Sequence, residues 1–272
     1  MKTKLLFTII FLSLSIHSFA LDKISIGTID TEPEEKIGKF QAVAEYLESN
    51  LNGIKVSVEI PKNINTAIKQ INNNKLDIFI DSVYPTLLVQ KSTDIQIVCK
   101  RWKKGQEGYK SVIFVNANSP ISKLEELKGK SISFEDEHST SGYYIPKKDI
   151  EKNGLKISND GDINSIKYEF ARSEKNTAVW LLYGKVDAAV TDDKTFLEFD
   201  KDLFKIIHKS KLIPRHLVSF SKRIDKKLQD KIIKILYEME NTKEGQKTLK
   251  EFSKTKRFSP LTKDDLSLIE AL

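Results

Sequence analysis

The apolar positions of the chain follow two spacings, one typical of strands and one typical of helices. The short apolar runs 23–29, 54–60 and 76–80 have the length of buried β-strands. Between the first two, apolar residues within 35–49 recur at the spacing of one helix face. This alternation of strand and helix predicts an α/β fold with a largely parallel sheet.

The pattern is interrupted once and then begins again. Polar and turn-forming residues occupy 116–120, and a second series of strands and helices starts after Gly129. Two series predict two α/β lobes with a cleft between them, the first lobe formed by 21–111 and 209–272 and the second by 112–208. Ligands of open α/β sheets bind at the carboxyl ends of strands, so candidate residues are those that follow strands.

The N-terminus has the three parts of a secretory signal. Lys2 and Lys4 precede an almost unbroken apolar run over 5–16, and small residues follow it. The run is too short to span a bilayer, and the alternative is a buried strand or helix. We expect residues 1–20 to be removed on export, which leaves a periplasmic protein that begins at Leu21.

Charge and cysteine content narrow the possible partners. The chain has 45 basic and 38 acidic side chains and a net charge of +7, but the charges are interspersed and no basic block or arm appears. Nucleic-acid binding is therefore not expected, whereas an anionic ligand is compatible. The single cysteine, Cys99, cannot form an internal disulfide and lies in an apolar segment.

Three consecutive hydroxyl residues form the strongest candidate site. Ser139, Thr140 and Ser141 follow a predicted strand, and Gly142 precedes a predicted helix. The first amides of a helix lack internal acceptors and favour negative charge, so such a turn can hold an oxyanion. The alternative is an ordinary N-cap, for which one hydroxyl is enough.

This segment resembles the Ser-Thr-Ser-Gly signature of the periplasmic phosphate-, phosphite- and phosphonate-binding proteins of ABC transporters. The likeness extends over most of the chain after residue 20, in the segments 76–82, 101–105, 109–115, 124–130, 184–189 and 214–219. The resemblance implies a type II periplasmic binding protein, with two lobes, a hinge and an interlobe cleft. It also implies that the three hydroxyls and nearby amides hold the oxyanion.

The resemblance implies further ligand contacts. Tyr109 matches a cleft tyrosine, and Asp192 matches a carboxylate that accepts a proton from the ligand. Ser82 and Tyr84 fall in a loop that carries another contact, although the local pattern differs. Glu174 stands where phosphonate binders often have a histidine. A carboxylate there repels an oxyanion unless it accepts a ligand hydroxyl or amine, or pairs with a neighbouring basic residue, so the ligand need not be the usual phosphonate.

Two arginines are further candidates, and enzymatic motifs are absent from the sequence. Arg101 and Arg215 can clamp an anion through forked donors, or they can form surface or interlobe salt bridges. The sequence has no Gly-x-Ser-x-Gly elbow, no metal-ligand spacing and no phosphate-binding Walker loop. We therefore expect no catalytic residues, no metal and no cofactor.

The function expected from these observations is capture of a phosphate- or phosphonate-like oxyanion for an ABC transporter. The expected partners are that small anion and the transporter permease, and the expected state is a monomer. One alternative is a periplasmic ligand sensor of the same fold that signals to a membrane partner. A second, less favoured alternative is an enzyme directed at phosphoesters.

Overall fold

The computed structural model describes residues 21–272, so the expected signal peptide at 1–20 lies outside the described residues. The described chain is an α/β fold, as the sequence predicted. Its strands are β1 (Lys23–Gly27), β2 (Lys55–Glu59), β3 (Ile78–Asp81), β4 (Gln96–Arg101), β5 (Gly108–Tyr109), β6 (Ser111–Asn116), β7 (Ser131–Phe134), β8 (Lys156–Ser158), β9 (Ser165–Phe170), β10 (Ala188–Asp192), β11 (Phe204–Lys209), β12 (Ile213–Pro214), β13 (His216–Phe220) and β14 (Phe258–Ser259).

The helices connect the strands and cover the sheets. They are α1 (Pro33–Asn50), α2 (Ile64–Asn72), α3 (Val83–Gln90), α4 (Ile145–Lys152), α5 (Glu174–Leu182), α6 (Asp193–Phe196), α7 (Lys226–Glu238), α8 (Lys243–Glu251) and α9 (Lys263–Glu270). A π-helical turn, Thr140–Tyr144, leads directly into α4. Helix α1 buries Phe40, Val43, Ala44 and Leu47, which is the apolar face that its sequence spacing predicts.

Two six-stranded sheets divide the described chain into two lobes. The first lobe has the strand order β14-β4-β13-β3-β1-β2, and the second has β11-β6-β10-β7-β9-β8. The chain passes from one sheet to the other after β4 and returns before β13. At these two crossings β5 and β12 pair with each other as a short antiparallel ribbon, Ile213 opposite Tyr109.

The sheets are mixed, which corrects the expectation of largely parallel pairing. Among the described residues, five strand pairs of the two large sheets are parallel and five are antiparallel. The antiparallel pairs involve β6, β13 and β11, which border the crossings, together with β14. Strands that enter from the other lobe run opposite to their neighbours, so the start of β6 and of β13 lies beside the carboxyl ends of the parallel strands.

Candidate functional site

Residues that follow the parallel strands of both sheets face one cleft between the lobes. In the first lobe Asp81 ends β3, and in the second Asp192 ends β10. The lobes touch where the backbone amide of Tyr84 donates to the hydroxyl oxygen of Thr140 over 2.9 Å. The Tyr84 ring also stacks on Tyr144, with ring centroids 3.9 Å apart and planes at 7°. The sequence-predicted hydroxyl turn therefore lies at the junction of the lobes.

Ser139 is the N-cap of the π-helical turn. Its hydroxyl donates to Glu135 Oε2 over 2.6 Å and accepts the Gly142 amide over 2.9 Å. Both hydrogen-bonding directions of this hydroxyl are thus used inside the second lobe. Ser139 takes the capping role that the sequence left open, and the two hydroxyls that follow it are not needed for that role.

Thr140 and Ser141 are buried where the lobes meet. Thr140 accepts the Tyr84 amide, so its own hydroxyl hydrogen can still be donated. The Ser141 carbonyl accepts the Ser111 hydroxyl over 2.6 Å, which fixes the turn against β6. Together they place short hydroxyls and the first-turn amides of a helix at the junction of the lobes, an arrangement that suits an oxyanion.

Gly142 permits the close approach of this turn to the preceding loop. A Cβ atom at Gly142 would lie 2.5 Å from the Glu135 Cβ and 2.8 Å from the Ser139 hydroxyl oxygen. A side chain at this position would therefore displace the loop after β7 or break the cap.

Tyr109 and Arg215 form the wall of the cleft beside the ribbon. The guanidinium carbon of Arg215 lies 4.3 Å from the centre of the Tyr109 ring, a cation–π distance. Burial raises the pKa of Tyr109 to about 12, although Arg215 and a hydrogen bond with Ser141 act in the opposite direction. The phenol is therefore protonated at neutral pH and can donate to an anion.

Asp192 combines a capping role with an ion pair. Its Oδ1 accepts the amides of Lys194 and Thr195 at 2.8 and 2.9 Å, and its Oδ2 lies 3.5 Å from Arg215 Nη1. Burial opposes ionisation, but these amides and the guanidinium outweigh it and hold the pKa of Asp192 below its usual value. At neutral pH the side chain is therefore a carboxylate, as a proton acceptor from a ligand must be.

Glu174, the first residue of α5, lies among other acidic groups. Its Oε2 accepts the Thr195 hydroxyl over 2.9 Å. Burial, together with the negative charges of Glu135 and Asp192, raises the pKa of Glu174 to about 7. Of the basic neighbours considered from the sequence, Arg172 lies 3.7 Å from Asp136 instead. Glu174 is therefore close to half-protonated at neutral pH, which lessens its repulsion of an anion.

The remaining sequence candidates divide between the cleft and the interior. The Ser82 amide donates to Asp81 Oδ1 over 2.7 Å at the start of α3, beside Tyr84. Arg101 is fully buried, and its guanidinium donates to the Thr255 hydroxyl and the Phe252 carbonyl at 2.8 and 2.7 Å. These bonds use its forked donors within the first lobe, so the structure does not support the anion clamp considered for Arg101.

Sequence reasoning missed Glu135 and Lys103, and it ranked His216 low because a lone histidine is more often structural. Glu135 directly follows β7, so the rule of searching after strands points to it, although its raised pKa depends on burial. Lys103 and His216 lie with Nζ and Nε2 3.2 Å apart. They lie in the family-like segments 101–105 and 214–219, which are far apart in the chain, so only the folded arrangement shows that the two side chains are in contact.

The described chain lacks both a membrane-spanning helix and a cluster of metal-binding side chains. Within residues 21–272, no helix is both long enough and apolar enough to cross a membrane. In the same part of the chain, no three His, Cys, Asp or Glu side chains are grouped so that they would hold a metal ion.

Two mixed α/β lobes, a two-stranded connection and a polar interlobe cleft define the class of two-lobed solute-binding proteins. The sequence profile of a family described as "ABC transporter, phosphonate, periplasmic substrate-binding protein" matches residues 26–266. The chain belongs to this family. The phosphonates-binding periplasmic protein of Escherichia coli strain K12 is 27% identical over 225 residues, which are 77% of this chain and 64% of that protein. The match thus spans less than two thirds of this relative's length.

Solved structures support the same fold. A Xanthomonas citri protein solved with chloride aligns with a TM-score of 0.83 at 18% identity, covering 92% of this chain and 95% of that one. The same protein solved with ATP gives a TM-score of 0.82 with the same identity and coverage. A Prochlorococcus marinus protein in complex with methylphosphonate gives 0.67 at 18% identity, covering 92% and 96% of the two chains. At such identities these likenesses concern the fold.

Proposed function

We propose that this protein captures a phosphonate- or phosphate-like oxyanion between its lobes and delivers it to the permease of an ABC transporter. The observation that carries the proposal is the turn Ser139–Gly142. There Ser139 forms the cap, and Thr140 and Ser141 supply hydroxyls and first-turn amides at the junction of the lobes. Anions favour such a helix start because its amides lack internal acceptors and carry partial positive charge.

Other parts of the cleft fit the same ligand. Tyr109 offers a protonated phenol, and Arg215 adds a positive charge 4.3 Å from that ring. The Asp192 carboxylate suits a ligand that keeps one acidic proton, such as a monoprotonated phosphonate, better than fully ionised sulfate. Binding and release require no bond to be made or broken, so the protein acts as a carrier. The proposal has three further parts. Residues 1–20 direct export, the protein is a monomer, and its lobes are formed by 21–111 with 209–272 and by 112–208.

A thermal-shift and calorimetric screen tests this function. Methylphosphonate, phosphite, phosphate and sulfate are compared on the chain from Leu21 onwards. A ligand that binds only the native state raises the melting temperature, and we expect phosphonate or phosphate to do so more than sulfate. Ser141→Ala should weaken the binding of the same ligands. The function is wrong if none of these oxyanions binds, or if Ser141→Ala leaves their affinity unchanged.

A further inference from the structure

Lys103 occupies an unusual position beside the cleft. It lies two residues beyond the end of β4, and its ammonium contacts Nε2 of His216, the first residue of β13, at 3.2 Å. Within residues 21–272 the structure gives this half-buried ammonium no salt bridge. A cation withdrawn from water without an opposing charge is costly, so the position favours an anion that comes from outside the chain.

The charges around Lys103 are mostly positive. Burial, together with the positive charges of Arg101, Lys36 and Arg215, lowers the pKa of Lys103 to about 7, and the negative charge of Asp81 acts in the opposite direction. Three other basic groups thus act on the same small region of the first lobe, so a bound anion there would be attracted by more than one of them.

The negative charge of Asp81 acts on this cluster, but within residues 21–272 Asp81 forms no salt bridge with Lys103. Asp81 Oδ2 accepts the Thr28 hydroxyl at 2.8 Å and the Ile29 amide at 3.1 Å, and Oδ1 accepts the Ser82 amide at 2.7 Å. Burial also raises the pKa of Asp81. Both of its oxygens are therefore used to fix the ends of β1 and β3, and neither contacts the ammonium of Lys103.

Within the described part of the chain, two buried nitrogen atoms of residues whose charges or contacts act on Lys103 have no hydrogen-bond partner. They are Nδ1 of His216 and Nε of Arg215. Burial and the neighbouring cations hold the pKa of His216 well below its usual value, so the imidazole is neutral. Because the Lys103 ammonium can only donate, Nε2 accepts and the imidazole proton resides on Nδ1. Both nitrogen atoms are thus donors, and a buried donor without a partner costs free energy.

The cluster adjoins the oxyanion turn. Arg215 lies over the ring of Tyr109, and the Ser141 side chain is close enough to Tyr109 to lower its pKa. A ligand whose first anionic group binds at Ser141 would reach Lys103 by extending past Arg215, whose charge also acts on Lys103.

The acidic groups of the second lobe are already engaged, which argues against an ammonium at the far end of the ligand. Asp192 caps α6 and pairs with Arg215, Glu174 accepts the Thr195 hydroxyl, and Glu135 accepts the Ser139 hydroxyl. Burial raises the pKa of both glutamates, so their negative charge is weakened.

We infer that Lys103, His216 and Arg215 form a second anion subsite, and that the ligand carries two anionic groups. One group is the oxyanion of the proposed function, on which this inference rests, and it binds at Thr140 and Ser141. The other, a carboxylate or a second phosphoryl group, binds between Lys103 and Arg215. The expected substrate class is therefore a phosphonate or phosphate ester with an acidic tail, such as a phosphonocarboxylate.

Calorimetry with a small ligand series tests the subsite. The probes are methylphosphonate, phosphonoacetate, 3-phosphonopropionate, methylenediphosphonate and 2-aminoethylphosphonate, each titrated into the parent, Lys103→Gln and Lys104→Gln. We expect at least one doubly anionic probe to bind the parent about tenfold or more tighter than methylphosphonate. Lys103→Gln should remove most of this difference in affinity. The parent should bind 2-aminoethylphosphonate no more tightly than methylphosphonate. Lys104→Gln, at the exposed neighbouring lysine, should leave the whole series unchanged.

A stability measurement separates binding from folding. Removal of an unpaired, half-buried ammonium should leave the melting temperature of ligand-free Lys103→Gln equal to or above that of the parent, whereas loss of a structural lysine lowers it. If a probe with a carboxylate binds more tightly than methylphosphonate, the second anionic group of the ligand is a carboxylate. If only methylenediphosphonate binds more tightly, that second group is phosphoryl. The subsite is wrong, and the proposed function stands, if methylphosphonate binds as tightly as every doubly anionic probe, or if Lys103→Gln weakens all probes equally. If no probe binds the parent, both proposals fail.

Discussion

The backbone amide of Tyr84 and the hydroxyl of Thr140 form a 2.9 Å hydrogen bond that connects the first lobe to the second. The same tyrosine stacks on Tyr144, so one residue supplies both a polar and an aromatic contact across the cleft. This junction lies at the turn to which the oxyanion is assigned. Closure of the lobes and assembly of the site are therefore expected to be coupled.

The first prediction concerns this coupling. Tyr84→Ala removes the ring stack, and Thr140→Val removes the hydroxyl acceptor at nearly constant volume. Because two interlobe contacts are lost, the double variant should shift towards an open form with a larger radius of gyration in X-ray scattering. A saturating oxyanion should partly restore the compact form. Tyr183→Ala, at an exposed tyrosine, is the control, and an equal change in that variant would refute the coupling.

The second prediction separates capping from ligand binding within the hydroxyl turn. Ser139→Ala should lower the free energy of unfolding by about 1 kcal/mol, because it removes an N-cap. Ser141→Ala should instead weaken oxyanion binding by about 1.5–3 kcal/mol, the range of a hydrogen bond to a charged group. Urea unfolding and calorimetry on both variants measure the two effects. A larger loss of affinity in Ser139→Ala than in Ser141→Ala would reverse this assignment.

The third prediction tests the space at Gly142. Gly142→Ala places a Cβ 2.5 Å from that of Glu135, so we expect a loss of about 1–3 kcal/mol in unfolding free energy. Oxyanion affinity should fall with it, since the loop and the cap move together. Gly38→Ala is the matched control: it is in α1 with no atom within 4 Å of the added Cβ, and it should stabilise the protein by about 0.5–1 kcal/mol. Equal stability of the two variants would mean that the loop after β7 moves to accommodate the added Cβ at no cost in free energy.

The extent to which the sequence predicts this molecule differs between elements. The helical spacing over 35–49 predicted α1 almost to its ends, because one buried face determines its pattern. The direction of β6 and β13 was not predictable in the same way. An apolar run suits a strand of either direction, and the antiparallel pairing arises only because the chain crosses between lobes.

The candidate site shows the same division. Ser139 to Ser141 follow a strand, and local sequence was enough to select them, whereas Asp192 was selected through the family resemblance. The contact of Lys103 with His216 depends on how β4 lies beside β13, and no spacing in the sequence encodes it. Arg101 shows the reverse case. Its residue type suggested an anion clamp, but the packing of Phe252 and Thr255 around it gives it a structural role.

The fourth prediction concerns Glu174 and pH. Its pKa is raised to about 7 from 4.5, so the native protein holds a proton that the unfolded chain releases, and stability contributed by this group falls as the pH rises from 4.5 to 7. Glu174→Gln mimics the protonated form. It should stabilise the protein by about 1–3 kcal/mol at pH 8 and have little effect at pH 4, because one pKa unit corresponds to about 1.4 kcal/mol.

Unfolding of parent and variant at both pH values measures this difference, and Glu137→Gln, at an exposed position, serves as the control. The same variant should bind oxyanions with a flatter pH profile above pH 7, since the parent gains a negative charge there and the variant does not. The comparison of two proteins with one ligand cancels the titration of the ligand itself. A constant stability difference between pH 4 and pH 8 would show that Glu174 does not titrate in this range.

The last prediction concerns selectivity at Asp192. Its carboxylate is ionised at neutral pH and lies beside the proposed anion, so a ligand is accepted best when it brings a proton for Oδ2. Monoprotonated phosphonate and phosphate can donate that proton, whereas sulfate cannot and meets a carboxylate that repels it. Asp192→Asn should therefore weaken the binding of phosphonate and strengthen the binding of sulfate. The ratio of the phosphonate affinity to the sulfate affinity should fall. Because asparagine still caps α6, stability should change little, whereas Asp192→Ala should lose about 1 kcal/mol with the cap. Calorimetry with both anions measures this ratio. An unchanged ratio of phosphonate to sulfate affinity in Asp192→Asn would mean that Asp192 caps α6 and pairs with Arg215 but does not determine ligand selectivity.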